Sequence, residues 1–145
     1  MSQQPVKVRG KAPAGAKRRL RAIGVAGAVV AALAVWLVGD PMLGNDLAVE
    51  QPGGKALSVG AGEVAFFALA ASLLGWAFLE VLEWLTARAA LIWTAIALLV
   101  LAASFVPLLS VDASDSTKVV LGVAHLAVGA VLIPVFRRST QPAAR

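Results

Sequence analysis

Four apolar stretches, roughly 20–38, 64–85, 89–106 and 119–136, govern what this chain can become. Each approaches or reaches the ~20 residues that carry a helix across a bilayer. Hydrocarbon offers no water to backbone amides and carbonyls, so a helix that satisfies them internally is the conformation open to such a stretch. The expected fold class is an all-α membrane protein, a four-transmembrane-helix bundle. The loops are too short to hold a second domain.

Composition agrees with that placement. Hydrophobic residues make up 59% of the 145 and charged residues 14%, too apolar a balance for an ordinary soluble domain. Cysteine is absent, which excludes disulfides, thiolate metal sites, iron–sulfur clusters and thiol nucleophiles. The net charge of +5 would suggest nucleic acid in a soluble protein. Here the basic residues cluster beside membrane spans, where they set topology and meet anionic lipid headgroups, so no nucleic-acid partner is expected.

The charges give an orientation. Lys7, Arg9, Lys11, Lys17, Arg18, Arg19 and Arg21 precede the first span, and Arg137, Arg138 and Arg145 follow the last. Both termini should therefore be cytoplasmic by the positive-inside rule, which four spans satisfy. The first loop holds Asp40, Asp46, Glu50 and Glu63 against Lys55, and the third holds Asp112 and Asp115 against Lys118. Both loops belong outside. The short connection at Thr86-Ala87-Arg88 makes spans two and three an antiparallel hairpin. Trp36, Phe66, Phe67 and Phe105 fall near outer ends and Trp84, Trp93 and Phe136 near inner ends, as interfacial anchors would. Trp76 lies deeper.

The domain division is then a disordered basic cytoplasmic tail over 1–17, a transmembrane domain over 18–138 and a cytoplasmic C-terminal tail over 139–145. A cleaved signal peptide is the rival for the first span, because Ala32-Leu33-Ala34 offers an A-x-A-like triplet. The apolar run continues past it to Gly39-Asp40-Pro41, a full membrane thickness. Within the first loop, Leu47 and Val49, then Leu57 and Val59, alternate with small or polar neighbours around Gln51-Pro52-Gly53-Gly54. That pattern predicts a short extracytoplasmic β-hairpin between helices 1 and 2, joined by a type II turn and lying against the bundle top, the third loop or a partner.

Small residues mark candidate packing faces. Gly24 and Ala28 in span one, and Ala68 with Ser72 and Ala71 with Gly75 in span two, are spaced four apart, which lets helix backbones approach closely. In span four, Gly122, His125 and Gly129 share one face, expected to look inward. Pro134 should loosen the inner end of that helix.

Three ionisable residues are candidate functional groups. His125 is the only histidine. At its depth it is either a relay or a neutral imidazole bonded to Ser72, Thr94, Ser104 or a backbone carbonyl. Glu80 and Glu83 share a face near the inner end of span two, where they guard a proton path or pair with Arg88 across the short turn. One histidine and two carboxylates toward the opposite interface supply no metal site. No catalytic residue and no cofactor is expected. Asp115 or Ser116 should cap the fourth helix.

Several pieces together resemble a known group. They are Ser58-Val59-Gly60-Ala61-Gly62 opening span two, Gly75-Trp76-Ala77 with the Leu/Glu-rich end around Glu83, Ile92-Trp93-Thr94 in span three, and the run from His125 through Gly129 to Pro134 in span four. From about Leu20 to Arg138 the chain resembles the small actinobacterial four-helix membrane proteins grouped as a domain-of-unknown-function family. The resemblance implies an actinobacterial inner-membrane protein with four helices and no assigned activity. It carries over no catalytic residue.

Three classes of function fit. A non-enzymatic accessory or scaffold subunit, meeting other membrane subunits or its own copies through small-residue faces and the outer loop, fits the short chain best. A small carrier or channel for protons or a small or lipidic solute, acting as an oligomer, would use His125 and the Glu80/Glu83 end. A membrane enzyme lacks an acid, nucleophile or metal to stand beside the histidine.

Overall fold

A computed structural model of the chain describes residues 14–44, 47–50 and 56–140. The elements are α1 (Ala14–Leu37), a π-helical turn (Val38–Met42), strands β1 (Ala48–Glu50) and β2 (Ala56–Ser58), α2 (Ala61–Leu85), α3 (Ala89–Ala103), α4 (Phe105–Ser110) and α5 (Asp115–Thr140). They compose four helical segments long and apolar enough to cross a membrane, Gly15–Met42, Ala61–Leu85, Ala89–Ser110 and Asp115–Thr140. Consecutive segments run antiparallel and close a ring, in which α1 packs on α5 and α2, and α3 packs on α2 and α5. Both chain ends therefore lie at one end of the bundle. With Lys17, Arg18, Arg19, Arg88, Arg137 and Arg138 there, it is the basic end; Asp40, Glu50, Glu63, Asp112 and Asp115 mark the other as acidic.

The helices outrun the apolar stretches. α1 begins at Ala14, ahead of the expected start of the transmembrane domain at 18, because Ala and Lys are good helix formers and the following turn is anchored. Residues 1–13 and 141–145 lie outside the described residues. α5 runs through Pro134 to Thr140, past the point where the C-terminal tail was expected to begin. At its start the cap is Ser114, not Asp115 or Ser116: the Ser114 hydroxyl accepts the Thr117 amide at 3.2 Å and lies 2.8 Å from the Thr117 hydroxyl.

Breaks in the helices have local causes. Pro107 lacks an amide and its ring crowds the carbonyl four residues back, so the third span is interrupted at Ser104 between α3 and α4. Pro41 does the same to α1, which widens into a π turn closed by the Leu43 amide on the Val38 carbonyl at 3.1 Å. Gly44 ends that turn with φ of 68°, a left-handed conformation suited to glycine. Glu63 Oε2 accepts the Gly60 amide at 3.0 Å where α2 begins.

In the outer loop β1 and β2 pair antiparallel over three rungs, Ala48 with Ser58, Val49 with Leu57 and Glu50 with Ala56. Three rungs do not support the short extracytoplasmic β-hairpin expected between helices 1 and 2, since two strands of this length are marginal alone. Neighbours anchor it. Trp36 Nε1 donates to the Val59 carbonyl at 3.0 Å, and the Glu50 amide donates to the Asp112 carbonyl at 3.1 Å. Leu47 is buried beneath it. The turn at Pro52 and Gly53 lies outside the described residues.

The contiguous core is made by Val25, Ala28, Leu79, Leu82, Ala89, Trp93, Leu132 and Phe136. Trp93 and Phe136 are thus interior groups rather than interfacial anchors, with ring centroids 5.2 Å apart and the Trp93 indole donating to the Gly75 carbonyl at 2.8 Å. A buried indole needs an acceptor, and the small Gly75 leaves its carbonyl within reach. Trp84 at the basic end is highly exposed, as an interfacial tryptophan would be.

Candidate functional site: the Arg21 cluster

Arg21 enters the bundle at the basic end of α1, and its side chain is 1% exposed. It stands three and seven residues before Gly24 and Ala28, on the stripe that faces the other helices. Its three guanidinium nitrogens reach two helices. Nη1 donates to Glu80 Oε1 at 2.8 Å, Nη2 to Glu83 Oε1 at 2.6 Å, and Nε to Ser139 Oγ at 2.9 Å. Ser139 is itself buried, and its hydroxyl donates a hydrogen bond to the Phe136 carbonyl at 2.7 Å. The planar fork of an arginine can hold two carboxylates and a hydroxyl at once; a lysine could not reproduce that geometry.

Two further groups complete the cluster. Trp76 Nε1, one turn above Glu80, donates to Glu80 Oε1 at 2.9 Å, so that oxygen receives both an indole and a guanidinium. Lys17, one turn before Arg21, lies 3.6 Å from Glu83 Oε1. Arg21 and Lys17 balance the charges of Glu80 and Glu83. Lys17 and both carboxylates keep partial exposure, which lowers the desolvation cost of assembling charges there.

The sequence pointed to Glu80 and Glu83 as one-face neighbours, and they meet the same guanidinium. Their partner is not Arg88. Arg88 is exposed, contributes its backbone amide to Thr86 Oγ1 at 3.1 Å, and forms no ion pair with either glutamate. Arg21 lies closer because α1 packs along α2 while the short turn directs Arg88 away. Arg21 and Ser139 were missed as site residues. Their helical phase was available: Arg21 continues the Gly24–Ala28 stripe, and Ser139 lies three and seven residues beyond Phe136 and Leu132.

His125 stands apart from this cluster. Its Nδ1 lies 2.7 Å from the Leu121 carbonyl, one turn back on its own helix, and its ring sits 6.4 Å from that of Phe105. The side chain is exposed, although the face it shares with Gly122 and Gly129 was expected to look inward. Ser72, Thr94 and Ser104 each donate to a carbonyl of their own helix, at 2.6, 2.7 and 2.6 Å, and none reaches the imidazole. Among the described residues no three His, Cys, Asp or Glu side chains gather as a metal would require.

Of the small residues singled out for packing, Gly24, Ala28, Ala68, Ser72, Gly75, Gly122 and Gly129 lie at helix contacts, whereas Ala71 is exposed. A Cβ on Gly24 would lie 2.7 Å from Val135 Cγ1, and one on Gly129 would lie 2.9 Å from Leu101 Cδ2. Gly122 faces Phe105 and Leu108, and Gly75 faces Trp93. Ala28 and Ser72 are fully buried.

Helix length, ring closure and a charge cluster stapling three spans together define a small multi-pass membrane protein. The chain belongs to DUF6069, a family of unknown function whose model matches residues 12–142. No curated protein and no solved structure matches it.

Proposed function

We propose that this protein is a non-enzymatic accessory or scaffold subunit of an assembly in a bacterial, specifically actinobacterial, plasma membrane, with both termini cytoplasmic. The observation that carries the reading is the saturation of the polar side chains. The Arg21 cluster is neutral and internally bonded, and among the described residues no buried side-chain nitrogen or oxygen lacks a partner. Buried polar groups that are used in holding helices together are not poised for acid–base or nucleophilic work. The basic end faces the cytoplasm in this reading, by the positive-inside rule, and contacts anionic headgroups there.

Partners are other membrane subunits or further copies of this chain, met through the exposed apolar flanks of α2, α3 and α5. Mild-detergent purification of the tagged full chain, followed by identification of co-purifying membrane proteins, tests this. A stoichiometric partner or homo-oligomer is expected, and a monodisperse monomer after in-membrane cross-linking would sink it. Orientation is read separately. In this cysteine-free chain, Ser58→Cys should react with an impermeant maleimide on intact cells and Ala87→Cys only after lysis. The second reading, a carrier for protons or a small lipidic solute, is favoured by the exposure of His125 in the outer half.

A further inference from the structure

Where α1 and α5 meet, two rows of residues face each other. On α1 the row is Gly27, Gly24 and Leu20; on α5 it is Val131, Val135 and Arg138, with steps of three or four that keep each row on one side of its helix. A Cβ on Gly27 would lie 3.3 Å from Val131 Cγ1, and one on Gly24 would lie 2.7 Å from Val135 Cγ1. The helices are antiparallel, so the next step toward the basic end sets Leu20 against Arg138. Inward of this seam Arg21, Val25 and Ala28 on α1 and Leu132, Phe136 and Ser139 on α5 are buried, and Arg21 bonds Ser139. On its outer side Arg19, Ile23 and Arg138 are exposed, and Gly15, Ala16, Arg19, Leu20 and Ile23 line a shallow, open groove.

This outer side carries charge with no acid to answer it. The two glutamates of the basic end, Glu80 and Glu83, are taken by Arg21 and Lys17 on the inner side. Among the described residues Arg19 and Arg138 enter no ion pair, α1 contains no acidic residue and α5 has only Asp115, at its far end. Two guanidiniums from different helices thus stand beside Leu20, where they repel each other unless an anion lies between them. One turn farther into the span Ile23 is 58% exposed, so the cations lead directly onto apolar surface.

We propose that the outer side of the α1–α5 seam is a binding site for one anionic glycerophospholipid. Its phosphate diester lies between Arg19 and Arg138, and an acyl chain runs along Leu20 and Ile23. Guanidiniums present paired N–H donors that match phosphate oxygens. The adjoining apolar surface calls for a lipid, since a soluble anion would leave it unused. A zwitterionic lipid brings its own cation to a place that already holds two, and is disfavoured. The site rests on the contact with anionic headgroups proposed above for the basic end and gives that contact a place; a diffuse attraction of the whole end to an anionic surface is the alternative.

The test uses the full chain in nanodiscs, with a bimane fluorophore on Ile23→Cys and, as a control on α3 toward the same end, on the exposed Leu91→Cys. The quenchers are phosphatidylglycerol and phosphatidylcholine brominated on the acyl chains near the headgroup, each titrated into plain phosphatidylcholine. At position 23 quenching by the phosphatidylglycerol should saturate at a low mole fraction, with a preference of about tenfold over the phosphatidylcholine, the weight of one charge-assisted hydrogen bond. At position 91 both should quench in proportion to mole fraction. Arg19→Gln and Arg138→Gln should each remove most of the preference, and the double variant little more, because both side chains hold one phosphate. Arg88→Gln takes the same charge from an exposed arginine at this end and should leave the preference intact; melting temperatures verify the fold of every variant. A preference that is equal at positions 23 and 91, survives the double variant or falls as far with Arg88→Gln would overturn the site and leave the general headgroup contact standing. No preference at either position would remove that contact as well. Displacement of the lipid by inorganic phosphate at constant ionic strength would also overturn the site, by giving the arginines to a soluble anion.

Discussion

The two ends of this bundle are held by different physics. At the basic end a buried guanidinium joins three helices, and large side chains, Trp93, Phe136, Leu79 and Leu132, fill the space beneath it. At the acidic end the close contacts are made by what is missing. Gly39 lets Val120 approach so tightly that a Cβ there would sit 2.5 Å from its Cγ1. Caps, a three-rung ladder and two proline-induced breaks finish the connections. The basic end is thus held by a charge staple and the acidic end by close backbone approach, caps and a short ladder. In a bilayer, where lipid is as apolar as the helices, polar staples and tight packing do the work that water-driven burial does elsewhere.

The strongest attack on that contrast is Arg21→Leu. It removes the shared partner of Glu80 and Glu83 and leaves Ser139 without its donor. Breaking a buried pair by deleting one member costs about 3–5 kcal/mol in soluble proteins; partial exposure of both carboxylates favours the lower figure here. A lowered unfolding midpoint in a mild-detergent denaturation series is expected. The triple variant Arg21→Leu, Glu80→Gln, Glu83→Gln should recover much of the loss, because no uncompensated charge remains. Equal stability of the single variant and wild type would show that the acidic end anchors the fold.

Next in size are the tight glycines, which compare the two ends directly. Gly24→Ala near the basic end and Gly39→Ala near the acidic end both place a methyl inside a valine side chain, at a cost of about 1–3 kcal/mol each. The Gly24 variant should cost more, since Val135 is backed by the core cluster, of which Val120 is not a member. Thermal unfolding of the two purified variants decides it. A larger effect at Gly39 would reverse the ranking of the ends.

How much of this was legible in the sequence follows the same division. The four spans were readable because hydrocarbon imposes one length on every helix that crosses it. The close approach at Gly24, Gly122 and Gly129 was readable from small-residue spacing. Arg21 was not, because a basic residue beside a span is equally a topology signal, and which helix lies against it is a tertiary fact. The exposure of His125 was hidden for a related reason. Its phase on α5 follows Leu132, but whether a face is covered depends on how the neighbouring helices pack, which no local pattern records.

A smaller effect belongs to the acidic end. Ser114→Ala removes the hydroxyl that accepts the Thr117 amide and should cost about 1 kcal/mol, the usual value of a helix N-cap. Faster hydrogen exchange over the first turn of α5, with the basic end unchanged, is the expected signature.

The smallest effect separates Arg88 from Arg21. By sequence alone Arg88 was the obvious partner of Glu83, lying just across the turn that joins α2 to α3. In the fold it is exposed and its backbone, rather than its charge, is bonded. Surface substitutions away from such networks shift stability by no more than about 0.5 kcal/mol, so Arg88→Ala should leave the unfolding midpoint where it was. The pair of variants then becomes one measurement: two arginines at the same end of the bundle, one decisive for stability and one indifferent. If Arg88→Ala matched Arg21→Leu, the glutamates would be shared between them, and the staple would have to include the α2–α3 turn.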